Sequence, residues 1–315
     1  MTALALTGFP RRMGIYLAEM YPVFQRFALA ALIYGALAVF AGRVHGAPPG
    51  FLTVSGAIAV ASIFAMHLIV RLMDELKDKD IDARLFPDRP LPSGRVLESD
   101  IVIALLLVIA LYVAANLWSG AAVWMALGVL GYALLMFRHF FMPAILNDSL
   151  PLTVATHNPL FPLIFVYGFA MFAGENGLVF TALAWGPVTL FILMVWATVL
   201  GWEIARKIRA PGREDDYVTY SRLFGRTSAV ALAAALQATA LAIGIWFWLA
   251  YSLPWFYPVM LAGGFALVAW RHVQFLGDPA RHETALRPTA EAYIFMVLAA
   301  QIFGFVDPGW WEVYR

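Results

Sequence analysis

Nine stretches of the chain read as long apolar runs separated by short polar loops, near 20–42, 52–75, 100–118, 120–138, 153–173, 180–205, 228–250, 254–273 and 289–306. A hydrocarbon core about 30 Å thick is crossed by roughly 20 apolar helical residues. The runs match that length, so the pattern predicts nine transmembrane helices and an all-α, polytopic membrane protein. The fifth run contains Pro159 and Pro162. Their missing N–H groups predict a local break in its hydrogen-bond ladder.

Composition agrees with that reading. Soluble domains carry about 25% charged residues. This chain of 315 residues carries 13%, with 62% hydrophobic residues and a mean hydropathy of +0.77. So much apolar surface implies a lipid bilayer as solvent. The net charge of +1 gives no sign of a nucleic-acid partner, because the basic residues are confined to a few loops. The absence of cysteine excludes disulfides, thiolate metal sites and cysteine nucleophiles. The opening "MTALALTGFPRRMG" lacks the charge-then-apolar order of a cleaved signal, so the first run reads as a retained helix.

The charges also orient the chain. Arg11, Arg12, the loops 77–95 and 206–226, Arg271, Arg281 and Arg287 fall on one side of a nine-span topology, while the loops near 119, 174–179 and 251–254 hold no Lys or Arg. The positive-inside rule then places the N-terminus inside and the C-terminus outside. A bacterial- or archaeal-type cell membrane is expected, with the site's mouth on the cytoplasmic side. No Gly/Ser-rich linker divides the chain, so residues 1–315 are expected to form a single transmembrane helical domain. A faint echo links "RPLPSGR" after span two with "YSRLFGR" after span six, four spans apart, as a parallel duplication would place them.

The end of span two carries the densest chemistry. Asp74, Asp78 and Asp82 recur at i, i+4 and i+8 and drift only about 80° around a continuous helix, so they share one face. Arg71 and His67 extend that stripe upstream, with Glu75 and Lys77 pointing elsewhere. Ionisable groups in a span face the bundle interior, because lipid contact is costly. Hard carboxylate oxygens suit Mg²⁺, which shares itself with substrate phosphates. The competing reading is a helix end wetted by headgroups, its acids paired with Lys77, Lys79 or Arg84. The following "FPDRPLPSGR" favours a phosphate site: its prolines stiffen the loop, and Arg89 and Arg95 offer planar forks that match phosphate oxygens.

The stretch "DELKDKDIDARLFPDRPLPSG" resembles the first aspartate-rich signature of the UbiA superfamily of intramembrane prenyltransferases. The match falls on Asp74, Asp78, Asp82 and the turn from Arg89 through Pro90, Leu91, Pro92 and Ser93 to Gly94. Asp74 stands where Asn is commoner. The resemblance implies a nine-helix bundle and Mg²⁺-assisted ionisation of an allylic isoprenyl diphosphate. An aromatic or other lipid-soluble acceptor would then capture the cation.

The family's second acidic cluster belongs at the inner end of span six, where this chain reads "GWEIARKIRAPGREDDYVTYSRLFG". Glu203 falls on the first acid, and Lys207 stands where the next would be. Glu214, Asp215 and Asp216 come only after Pro211 and Gly212. Two readings follow: Arg206 and Lys207 neutralise diphosphate directly, or the scaffold serves other lipid chemistry. Arg206 and Lys207 lie at i+3 and i+4 from Glu203 and so share its face, which favours the first. Arg209 and Arg213 read as positive-inside anchors. Tyr217, Tyr220 and Ser221 lie where the family's second inner loop caps the cavity, with Tyr220 either donating to phosphate or sitting in the interfacial aromatic belt.

In the scheme the resemblance implies, Asp74, Asp78, Asp82 and Glu203 hold metal. Arg71, Arg89, Arg206 and Lys207 hold the diphosphate, with Tyr220 and Arg26 as further contacts. Arg26 is alternatively a snorkelling cation. A second polar concentration, His139, Asn147, Asp148, His157 and Asn158, could position an acceptor or act as general base, while His157 and Asn158 alternatively cap the proline-broken backbone. His67, His157 and Asn158 are the acceptor candidates. The rival functions are a UbiA-like cyclase, a transferase using another phosphorylated donor, and a non-catalytic transporter or lipid-binding protein. Transporter sites usually lie near the bilayer midplane, whereas these acids lie at one surface.

Overall fold

A bilayer satisfies no backbone polar group, so a chain of this pattern must close its hydrogen bonds within helices. The computed structural model describes residues 8–147, 149–214 and 219–307, and their regular structure is entirely helical. In chain order the helices are α1 (Phe9–Met20), α2 (Val23–His45), α3 (Val54–Lys77), α4 (Lys79–Leu85), α5 (Glu98–Ser119), α6 (Val123–Phe137) and α7 (Pro143–Asn147). There follow α8 (Leu150–His157), α9 (Leu160–Glu175), α10 (Trp185–Ala205), α11 (Tyr220–Phe224), α12 (Arg226–Tyr251), α13 (Phe256–Gly277) and α14 (Pro279–Phe305).

Every apolar run read from the sequence falls on helix. Among the described residues, eight spans are long and apolar enough to cross a membrane, with α8 and α9 forming one of them. The fourth run is α6, whose 15 residues rise about 22 Å. The span from Leu150 to Glu175 is broken as Pro159 predicts: α8 ends at His157 with Asn158 as its cap, α9 starts at Leu160, and Phe161 N–H donates to the Asn158 carbonyl at 3.1 Å. One helix was not foreseen. α1 precedes the first span and buries Met13 and Tyr16, while Arg12 grips Asp100 of α5 with two bonds of 2.6 and 2.8 Å. The outward faces of the spans are apolar: Leu106, Leu111, Trp124, Leu249 and Val273 are all exposed.

The described residues gather into two compact units. The first takes the chain up to Tyr34 together with Gly50–Glu175 and packs α3 chiefly against α5, and α9 against α6. Its core carries a closed polar network. Asn116 of α5 donates to Ser62 of α3 at 2.9 Å and accepts from Tyr167 of α9 at 2.8 Å, while Tyr112 donates to the Ala126 carbonyl of α6 at 2.9 Å. Thr53 caps α3, accepting from Gly56 N–H at 3.0 Å. A Cβ on Gly56 would strike the backbone carbonyls of Gly50 and Phe51, so this turn requires glycine.

The second unit takes Gly35–Pro49 together with the chain from Asn176 onward, and packs α13 on α14 and α10 on α12. Its core is aromatic: the Phe40 ring lies 4.7 Å from Phe191, 5.2 Å from Phe247 and 5.1 Å from Phe305. Small residues allow close helix approach, as membrane packing favours. Gly304 abuts the Tyr257 ring, and Gly201 abuts Gln237.

Candidate active site

The acid stripe of span two does not ride on one uninterrupted helix. α3 ends at Lys77, and Asp78 stands at the junction with α4 with φ −99° and ψ 9°. Five acids in the nine residues 74–82 disfavour a straight continuation. The hydrogen-bond ladder still passes through: Asp78 N–H donates to the Asp74 carbonyl at 2.9 Å, and Asp82 N–H to the Asp78 carbonyl at 2.8 Å. Asp82 is 4% exposed. It accepts from Arg89 Nη1 at 2.7 Å, and the Arg89 guanidinium lies over the Phe86 ring at 3.8 Å. Asp74 is partly exposed and pairs with Lys77 at 3.2 Å. Asp78 is half-buried, and burial pushes its carboxyl up. Lys77 opposes that, Asp74 and Asp82 reinforce it, and Arg71 opposes it more weakly.

Two residues read as pointing elsewhere belong to this group. Glu75 is 1% exposed and forms an ion pair with Arg71, one turn back. Lys77 is the partner of Asp74. The i, i+4 spacing of Arg71 and Glu75 was the available signal. Arg95, read as a phosphate fork, instead clasps Glu19 of α1 at 2.5 and 2.9 Å and the Asp88 carbonyl at 2.7 Å. The turn after α4 is closed by Ser93, which donates to the Arg89 carbonyl at 2.7 Å, and by Gly94 at φ +74°.

Arg26 and His67 are half-buried in the same unit, where the Arg26 charge acts on the His67 imidazole. Arg26 also stands 5.9 Å over the Tyr21 ring. His139 and His157 meet with ring centroids 6.2 Å apart. Burial pushes the His139 imidazole down, and Lys77 adds to that. Asn158 is buried, with its Oδ1 unpartnered.

In the second unit, α10 ends on a compact charge group. Glu203 accepts from Arg206 Nε at 2.6 Å and Nη2 at 2.9 Å, and pairs with Lys207 at 3.1 Å. Tyr220 N–H donates to the Lys207 carbonyl at 3.1 Å. The Tyr220 hydroxyl is buried without a partner. Burial pushes its pKa up, the neighbouring Glu203 adds to that and Arg206 opposes it, so it stays protonated and can donate. Glu214 holds the loop together: it accepts from Thr219, and from Ser221 at 2.6 Å, while Arg209 N–H donates to Ser221 at 2.9 Å. Asp148, Asp215, Asp216 and Tyr217 lie outside the described residues, as does the side chain of Asn147.

Among the described residues no three His, Asp or Glu side chains gather closely enough to hold a metal ion by themselves. The expected set of Asp74, Asp78, Asp82 and Glu203 is therefore not a ready-made cage. Mg²⁺ is usually held by one or two carboxylates, the rest coming from water and substrate phosphate. Asp78, with Asp74 and Asp82 close enough to act on its charge, fits that shared mode.

Two solved structures are similar to the whole chain. One is a digeranylgeranylglyceryl phosphate synthase studied in membranes, at 16% identity and a TM-score of 0.65, covering 94% of this chain and 99% of its own. The other is an apo UbiA homolog from Aeropyrum pernix K1, at 18% identity and a TM-score of 0.64, covering 89% and 97%. At such identities they establish the fold. No curated protein sequence matches the chain. The family model described as the UbiA prenyltransferase family matches residues 27–298, spanning both acid-bearing helix ends as well as the bundle. On that match, the chain belongs to the UbiA prenyltransferase family.

Proposed function

We propose that this protein is an intramembrane prenyltransferase that takes an allylic isoprenyl diphosphate, with Mg²⁺, and transfers the isoprenyl group to a lipid-soluble acceptor. Family membership supports the transferase class. The observation that carries the donor is the junction after α3. There Asp78 is half-buried between Asp74 and Asp82, with the guanidinium groups of Arg71 and Arg89 held in place by Glu75 and Asp82. Acids beside fixed planar cations bind a cation-escorted anion better than either a bare cation or a bare anion.

In this reading Asp78, with Asp74 or Asp82 beside it, would hold the metal, and water and phosphate would supply the remaining oxygens. Bound there, Mg²⁺ would supply Lewis acidity to the departing diphosphate. Arg71 and Arg89 turn their forks to its oxygens. Within the second unit, Glu203 fixes Arg206 and Lys207 as a cationic group that suits phosphate, and the protonated Tyr220 hydroxyl can donate a hydrogen bond. The apolar surroundings favour the acceptor over water in capturing the allylic cation. The orientation with the N-terminus inside and the C-terminus outside, with nine crossings, is part of the same proposal.

Diphosphate release tests it. Purified protein in lipid nanodiscs with Mg²⁺ and isoprenyl diphosphates of several lengths releases diphosphate. Asp78→Ala lowers the rate by about 10²–10³-fold, the scale expected for losing one preorganised electrostatic contact. Release from no donor in the series, or release indifferent to Asp78→Ala, would refute the assignment.

A further inference from the structure

The broken fifth span places a histidine whose hydrogen bonds define its chemistry. Thr156 Oγ1 lies 2.9 Å from the Leu152 carbonyl, 3.1 Å from the Thr153 carbonyl and 3.1 Å from His157 Nδ1. A threonine hydroxyl has one proton, and a carbonyl can only accept. That proton can go to a carbonyl, and the oxygen then faces the ring as an acceptor. With the oxygen accepting, Nδ1 carries the ring proton and Nε2 the lone pair. The Thr156 carbonyl accepts from Tyr132 at 2.7 Å, which ties the end of α8 to α6.

Next to His157, Asn158 is 7% exposed and its Oδ1 has no partner. A polar atom buried in a span without a partner is costly and marks a site in need of a ligand. The chain before α7 is also unusual. His139, Phe140 and Phe141 take φ of 49°, 49° and 60° in succession, the left-handed region that costs about 1–2 kcal/mol per ordinary residue. This turn sets the Phe140 ring 6.0 Å, and the His139 ring 6.2 Å, from His157. Lys77 acts electrostatically on both imidazoles, and Asp74 on that of His157. The histidine thus belongs to the same unit as the donor motif and feels its charges.

We infer that His157 is a catalytic residue: its Nε2 receives the proton of a hydroxyl-bearing acceptor as the isoprenyl group is transferred, with Thr156 as the positioning residue that fixes the ring's tautomer. The inference rests on the prenyltransferase reading. In the step, the bond between the allylic carbon and the diphosphate oxygen breaks, and its electron pair leaves with diphosphate. The acceptor oxygen, or the ring carbon conjugated with it, forms the new bond to the allylic carbon. The hydroxyl proton passes to Nε2. Two acceptor atoms at the break, His157 Nε2 and Asn158 Oδ1, select a partner that donates hydrogen bonds.

The test has a binding arm and a turnover arm. In the first, a lipid-soluble 4-alkylphenol and its methyl ether are titrated into protein in nanodiscs by tryptophan fluorescence. The phenol binds about tenfold more tightly, the worth of one good hydrogen bond, and His157→Ala abolishes that preference. In the second, His157→Ala lowers isoprenyl transfer by about 10²-fold, the range for a lost general base, while diphosphate release to water continues. Added imidazole restores transfer. Thr156→Val lowers kcat with KM unchanged. Equal binding of phenol and ether, or parallel loss of release and transfer without imidazole rescue, overturns the role of His157. A wild-type protein that releases no diphosphate refutes the prenyltransferase reading instead, and the binding arm still decides for or against His157.

Discussion

Arg71 and Glu75 illustrate how much a single residue's surroundings decide. Glu75 is 1% exposed, and its carboxylate is tolerable in a span because Arg71 lies one turn away. Removing one member of such a pair strands the other, at about 3–5 kcal/mol. Arg71→Ala should destabilise the protein by that order in denaturant titrations in detergent micelles, and Arg71→Met with Glu75→Leu should recover most of the loss. A single variant as stable as wild type would show that Glu75 is not a buried charge needing Arg71. At the surface, the Arg95 guanidinium holds the Glu19 carboxyl below the usual glutamate range. A depressed folded-state pKa contributes stability above the unfolded glutamate pKa and loses it as pH falls through the folded value. Melting temperatures between pH 6 and 3 should therefore fall slightly more steeply for wild type than for Glu19→Gln. Of these residues, Asp74, Asp78, Asp82 and Arg89 stood out in the sequence by spacing. Glu19 did not, because its partner Arg95 is set by packing and not by periodicity, while Glu75 was passed over although Arg71 stands at i, i+4.

At the scale of elements, breaks matter as much as spans. Pro159 announced the gap between α8 and α9, because a missing N–H is a local property of the chain. The interruption of α3 at Asp78 was not announced, since the same i, i+4, i+8 spacing is equally compatible with an unbroken helix. Cohesion between elements in the first unit runs through Asn116, which joins α3, α5 and α9. Asn116→Ala leaves Ser62 and Tyr167 without that partner and should cost about 1–3 kcal/mol. Tyr167→Phe removes one interhelical bond and should cost about 0.6 kcal/mol. Unfolding in detergent measures both, and equal losses would mean that the network does not centre on Asn116. Asn116 lies in an otherwise apolar run and attracted no notice, because nothing in sequence places its partners 54 and 51 residues away.

For the whole molecule, alternating loop charge predicts which side each loop faces. The chain has no cysteine, so single introduced thiols report topology without background. Leu52→Cys, in the exposed turn before α3, should react with an impermeant maleimide on intact cells. Ser93→Cys, in the exposed turn after α4, should react only after permeabilisation. The reverse pattern would invert the proposed topology. Where the spans lie was legible from sequence alone, because lipid accepts only backbones that satisfy themselves, and length and apolarity suffice to find such helices. The candidate chemistry was legible where it depended on residue type at short spacing. Tertiary structure alone decided which carboxylates are buried and how α1 is fastened to α5. Those depend on side chains brought together from far along the chain, as Arg12 meets Asp100 across 88 residues, and no local periodicity encodes such meetings.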